Sequence, residues 1–223
     1  MSALPPDSPA LRDEICRVGR SLFDRGYVHA TAGNISARVE GGFLITATDA
    51  CLGTLQPQKL ARVGDDGVQT SGDRASKTLA LHRAIYAADD SARCVIHTHS
   101  THLVALTLRG VWSEDDILPP LTPYFVMKVG HVPLIPYHRP GDPAVAPLVA
   151  GRMAARAQHG TPLRAVMLDR LGPNVWADSP AAASAVLEEL EETARLWLLA
   201  GSATPGLSDL QIDALRQAFG ARW

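Results

Sequence analysis

Val95-Ile96-His97-Thr98-His99-Ser100 is the segment of this chain best equipped for chemistry. An apolar strand that runs into histidines at i and i+2 presents both imidazoles on one face. Two such imidazoles are half of a transition-metal site. They are equally a pair of hydrogen-bonded histidines near a sheet edge. His102 follows on the next turn and suits an outer layer around such a site. Three other segments suit an anion. In Ala30-Thr31-Ala32-Gly33-Asn34-Ile35-Ser36, a glycine beside Asn and Ser lets backbone N–H groups converge on a negative charge, or simply forms a turn. Thr46 and Thr48 put two hydroxyls on one strand face. Ser76-Lys77 opens a helix with a hydroxyl and an ammonium, a combination that suits a phosphate. One metal-type and three phosphate-type elements in a short chain outweigh any of them alone. They point to an enzyme with a polar pocket around His97 and His99.

The elements that position these residues follow from the apolar spacing. Leu11 to Arg25 reads as a helix through Leu11, Ile15, Val18 and Leu22, stopped by Gly26. Gly42 to Thr48 reads as a strand, Pro57 to Val63 as a short helical turn or edge segment, and Lys77 to Ala88 as an amphipathic helix. Cys94 to Thr98 is a strand and Ser100 to Leu108 a helix. Residues 117 to 143 are proline-rich and irregular, with a strand at Val132 to Pro136. Ala146 to Ala157 is a helix. Ala165 to Leu168 is a strand that pairs with Asn174 to Ala177. Pro180 to Leu199 is the longest helix, opened by proline and closed by Gly201. Its acidic run, Glu188, Glu189, Glu191 and Glu192, reads as a solvated face. Ser208 to Phe219 is a terminal helix capped by Ser208. Residues 1–10 read as a loose tail and 11–223 as a single domain, with no internal repeat. Periodicity alone gives a mixed α and β domain.

Composition narrows the function classes. The chain has 223 residues, 46% of them hydrophobic and 20% charged, as in an ordinary globular protein. A net charge of -2 gives no reason to expect nucleic acid or an anionic membrane as partner. The apolar runs are too short for a membrane span, and the first nine residues lack the pattern of a secretory signal. Cys16, Cys51 and Cys94 have no CxxC spacing and read as thiols in a reducing, cytoplasmic compartment.

The order of segments is more specific than any one of them. ATAGNIS, LITATDACLG, SGDRASKTLALHRAIY, VIHTHS, LTPY and PYHRPGD together resemble the class II sugar-phosphate aldolase family. The likeness runs from about Leu11 to Arg216. It is greatest to the family's 3-oxo-tetronate 4-phosphate decarboxylase branch, through LPPLTPYFVMKVGHVPLIPY, RPGDP and LEELEETARL. The resemblance implies a three-layer αβα sandwich with a mainly antiparallel central sheet. It implies a homotetramer, with the proline-rich Ile117 to Tyr137 as interface and pocket wall. It also implies a carbon–carbon lyase, of decarboxylase or aldolase type, acting on a small phosphorylated sugar acid. Gly33, Asn34, Thr46 or Thr48, Ser76 and Lys77 would bind the substrate phosphate. His97 and His99 would bind a divalent metal, usually zinc, that chelates the substrate and stabilises an enediolate. Tyr124 would be the tyrosine that a neighbouring subunit lends to the site.

Two positions depart from the family pattern. The family's acid/base glutamate lies four residues before the histidine of the second helix; that histidine is His82, so the position is Thr78. The family's third metal histidine, in an Asn-His-Gly segment, aligns with Leu171, preceded by Arg170. Threonine moves no proton near neutral pH, and leucine binds no metal. His138, His29 and Asp169 are possible substitutes for the third ligand, and Arg170 could hold a substrate carboxylate bidentately. Aldol cleavage needs a base to remove a hydroxyl proton, whereas decarboxylation starts from a carboxylate already ionised. Thr78 therefore suits a decarboxylase better than an aldolase. The same two losses leave open a non-catalytic relative that keeps the phosphate pocket, or an enzyme that works without metal through Arg170 and His138.

Overall fold

A computed structural model describes residues 4–201 and 203–223. The chain's contacts gather into two compact units. The first contains residues 1–99 and 176–184, the second 100–175 and 185–223. Neither is contiguous in sequence and no linker separates them, so composition carries no sign of the division.

In the first unit, α1 (Pro9–Asp24) starts at the Ser8 cap, whose hydroxyl accepts from Leu11 N. Ile15, Val18 and Leu22 recur at helical spacing and are buried. Gly19 lies on the same face because a side chain there would meet the Leu52 carbonyl at 2.8 Å. The helix begins inside the expected tail. Of that tail, residues 1–3 lie outside the described residues. Pro5 accepts from Glu40 N at 2.9 Å, and Asp7 takes two 2.7 Å bonds from Arg12. These bonds tie the segment down.

Four strands follow, β1 (Asn34–Val39), β2 (Gly42–Ile45), β3 (Ala61–Gly64) and β4 (Gln69–Ser71); then come α2 (Leu79–Ala88) and β5 (Cys94–His97). They are ordered β4-β3-β2-β1-β5, all antiparallel. The short, exposed β4 was not legible in the sequence, because Gln69-Thr70-Ser71 has no apolar alternation. The register that matters most is Asn34 opposite His97, with Ile35 opposite Ile96 and Ser36 opposite Val95. It lays the glycine–asparagine turn beside the histidine strand.

In the second unit, α3 (Thr101–Arg109) leads into the proline-rich segment. That segment has one π-helical turn, Phe125–Val129, and a two-residue strand β6 (Leu134–Ile135). Then come α4 (Val145–Gln158), β7 (Ala165–Leu168), β8 (Gly172–Ala177), α5 (Pro180–Ala200) and α6 (Asp209–Phe219). The first residues of α5 and the last two of β8 belong to the first unit. β7 and β8 form the expected antiparallel hairpin, but β6 joins β7 in parallel, so the sheet is mixed. The apolar residues expected to form an interface are largely core: Ile117, Leu118, Phe125, Val126, Val129, Val132 and Ile135 are all buried. Tyr124 and Tyr137 alone of that group's large apolar residues are exposed, at 61% and 63%. Ser208 and Gln211 make a reciprocal capping box at α6, as the cap predicted from sequence requires.

Candidate active site

His97 ends β5 at 5% exposure and His99 lies two residues beyond, half-buried. Their ring centres are 5.1 Å apart, at 69°. An imidazole nitrogen bound at about 2.0 Å puts its ring centre roughly 3 Å from the ion, so two rings on a tetrahedral ion lie about 5 Å apart. The pair therefore fits two corners of a metal site. Burial, and secondarily the proximity of His29, pushes His99 below the ordinary histidine range; an imidazole kept neutral is the ligand form. Among the described residues no group of three histidine, cysteine or carboxylate side chains is already gathered to hold a metal. The donor set is thus two imidazoles in place, with the third position unfilled by side chains in their present rotamers.

The turn before β1 meets this pair directly. Gly33 has φ +82°, and a side chain there would meet the His97 carbonyl and Val28 at 2.8 Å. Only glycine tolerates both the backbone and the approach. Asn34, opposite His97, is buried, and its Oδ1 has no hydrogen-bond partner. A buried polar atom left without a partner is costly in an apo protein and is a mark of a ligand site.

The expected hydroxyls divide in role. Thr46 is 1% exposed and its Oγ1 accepts from Ile35 N at 3.2 Å, joining the end of β2 to β1. This bond uses the hydroxyl as an acceptor in joining the strands. Thr48 donates to Ala75 O at 3.0 Å, and Ser76 N donates to Thr46 O. These bonds draw Thr48, Ser76 and exposed Lys77 into one neighbourhood. Thr78, the last residue before α2, has its hydroxyl 3.0 Å from that of Ser76.

Two features escaped sequence reasoning. The first is a buried chain on the α2 side. His82 Nδ1 is 2.8 Å from Ser36 Oγ, and Ser36 Oγ is 2.7 Å from Tyr86 OH, which also reaches Ser36 O at 3.0 Å. His82 is fully buried, and desolvation, reinforced by nearby His97, drives its pKa down to about 3. Its Nε2 has no partner. The spacing of His82 and Tyr86, four residues apart on one helix face, was the available signal.

The second is Glu191, read from sequence as part of a solvated face but only 3% exposed. Its carboxylate accepts from His102 N, His102 Nδ1 and Leu103 N at 2.9, 2.8 and 3.1 Å, capping α3. A carboxylate at a helix N-terminus satisfies orphan N–H groups and the macrodipole together. The signal was its place on the stripe of Leu187 and Ala194, both buried.

The remaining expected residues lie in the second unit. Leu171 and Arg170 form the turn between β7 and β8. Arg170 has φ +60°, and its N–H donates to Thr107 Oγ1 at 3.1 Å. His138 Nδ1 is 3.8 Å from Asp142 in its own loop. Tyr124 immediately precedes the π-helical turn.

Residues 13–198 match the family described as the Class II Aldolase and Adducin N-terminal domain. The chain belongs to the class II aldolase family. It is 59% identical, over 96% of its length and 97% of the relative's, to a 3-oxo-tetronate 4-phosphate decarboxylase of Cupriavidus necator. It is 40% identical to the enzyme of the same name from Escherichia coli, over 90% and 92% of the two chains. Among solved structures, YgbL of Klebsiella pneumoniae superposes with a TM-score of 0.84 at 41% identity, over 93% of this chain and 98% of that one. Family membership and the class II aldolase fold, an α/β architecture with a large mixed sheet flanked by helices, are therefore established together.

Proposed function

We propose that this protein is a divalent-metal-dependent carbon–carbon lyase that decarboxylates a 3-oxo-tetronate 4-phosphate. The observation that carries the choice is the pairing of two metal-spaced imidazoles with a threonine where the family's acid/base carboxylate belongs. In a 3-oxo acid the bond to the carboxylate breaks and carbon dioxide leaves. The electron pair passes to the carbonyl as an enediolate, and a proton then restores the ketone, giving dihydroxyacetone phosphate. The first step removes no proton, so Thr78 is no obstacle to it.

A bound divalent cation, in our reading zinc, supplies the charge that such an enediolate requires. His97 and His99 hold it. The Gly33–Asn34 turn, with Thr48, Ser76 and Lys77, holds the phosphate; Lys77 contributes a positive charge near the start of α2. Buried His82, neutral and fixed by Ser36, backs the turn without donating charge. Tyr124, exposed as a residue lent to a neighbour would be, fits a homotetramer with shared sites. The three unpaired cysteines fit a reducing compartment such as the cytoplasm.

The test is formation of dihydroxyacetone phosphate from 3-oxo-tetronate 4-phosphate by the purified protein, before and after treatment with a chelator. Turnover that the chelator stops and zinc restores is expected. Turnover that is absent, or indifferent to chelation, contradicts the proposal.

A further inference from the structure

We propose that Ser36 is a positioning residue for the anion site: its hydroxyl closes a ring of hydrogen bonds that holds the Gly33–Asn34 turn and the start of α2 as two walls of one phosphate cradle. The inference rests on the phosphate-binding reading above.

The ring can be followed bond by bond within the first unit. Asn34 leads into Ile35, whose N–H donates to Thr46 Oγ1 at 3.2 Å and whose carbonyl accepts from Thr46 N at 3.0 Å. Thr46 O accepts from Ser76 N at 3.2 Å. Ser76 Oγ lies 3.0 Å from Thr78 Oγ1, and Thr78 O accepts from His82 N at 3.2 Å. His82 Nδ1 then returns to β1 at Ser36 Oγ, 2.8 Å away. Ser36 is two residues beyond Asn34 and shares its face of the strand. Exposed Lys77 stands between Ser76 and Thr78. Tyr86 also ties α2 to β1, but one turn farther from the cradle.

The direction of each bond at the closing link follows from counting protons. The Ser36 carbonyl can only accept, so the 3.0 Å contact takes the Tyr86 proton. The 2.7 Å contact between Tyr86 OH and Ser36 Oγ then takes the serine proton. The 2.8 Å contact is left with the proton on His82 Nδ1. Burial keeps His82 neutral, so it has one ring proton and its Nε2 is bare. Three contacts use three protons, and no other assignment satisfies them all. Ser36 cannot turn away without leaving a buried N–H unpaired. Two buried acceptors, Asn34 Oδ1 and His82 Nε2, have no partner. The lock therefore holds a polar wall in place at the expense of unpaired atoms, as a binding site does.

Inorganic phosphate is the probe, titrated in the presence of a chelator so that the outcome does not depend on a bound metal. Ser36→Ala opens the ring. Tyr86→Phe removes a buried bond of the same kind but leaves Ser36 on His82. Phosphate affinity should fall about tenfold in Ser36→Ala and stay within about threefold of wild type in Tyr86→Phe, although both variants melt lower. His82→Leu opens the ring from the other side and should repeat the loss, which keeps the role testable if Ser36→Ala does not fold. Nitrogen-15 spectra of the wild-type imidazoles should show His82 protonated on Nδ1 alone. Wild-type affinity in folded Ser36→Ala, an equal loss in Tyr86→Phe, or a His82 proton on Nε2 would overturn the role of Ser36 and leave the phosphate site standing. A folded wild type that binds no phosphate would overturn both.

Discussion

At the end of β5 two imidazoles stand 5.1 Å apart, with His99 held below the ordinary histidine range by burial, beside a turn that only glycine can make. In the turn between β7 and β8, where the sequence resemblance leads one to expect a further histidine, this chain has Leu171 after an Arg170 held at φ +60°. The hairpin is intact in register, from Leu168 opposite Gly172 to Ala165 opposite Val175. The first region is constrained by chemistry and sterics together. The second is held by backbone geometry and offers no metal-binding side chain at Leu171.

That contrast can be broken most severely at Gly33. A Gly33→Ala substitution forces a side chain into a positive-φ position 2.8 Å from the His97 carbonyl. It should cost about 3 kcal/mol in denaturant unfolding and remove phosphate affinity as well. A loss under 1 kcal/mol would mean that the turn is not locked against β5. Next in size is Glu191→Ala, which strips the start of α3 of its buried carboxylate and leaves its N–H groups without partners. About 2 kcal/mol of stability should disappear, read as a lower melting temperature. Thr78→Glu addresses the chemistry instead. It supplies the carboxylate that the sequence resemblance leads one to expect there, yet should alter the rate of carbon dioxide release by less than tenfold, against the roughly 10²–10⁴ that a true acid/base contributes.

The smallest effect lies outside both regions. Arg12 hydrogen-bonds Asp7 and holds its carboxyl below the usual carboxylate range. A lowered folded-state pKa stabilises above the unfolded value of 3.8 and is lost as pH falls through the folded one. Asp7→Asn should therefore destabilise by about 0.5–1 kcal/mol at pH 7 and by nothing measurable well below pH 3. A difference that persists at low pH would contradict the ion-pair account.

Much of this was legible in the residues. The strand entering His97 and the capped final helix follow from periodicity and cap chemistry, because local patterns specify them, whereas the turn read over His29 to Ser36 gives way at Asn34 to strand β1. What was hidden is what depends on contacts far apart in sequence. Glu191 looked like one charge in an acidic run until its bonds to His102 and Leu103 appeared. The bond from Ile35 N to the Thr46 hydroxyl joins strands distant in sequence and has no local signature. The two-unit division was invisible because each unit is assembled from separated segments.

The central claim is that this site releases carbon dioxide from a 3-oxo acid and has given up the proton transfer needed for aldol cleavage. Its most direct test is to measure kcat/KM for decarboxylation of 3-oxo-tetronate 4-phosphate and for cleavage of L-fuculose 1-phosphate with one zinc-loaded preparation. The account predicts decarboxylation ahead by at least about 10³, the scale of a missing acid/base group. Comparable rates on the two substrates would contradict it.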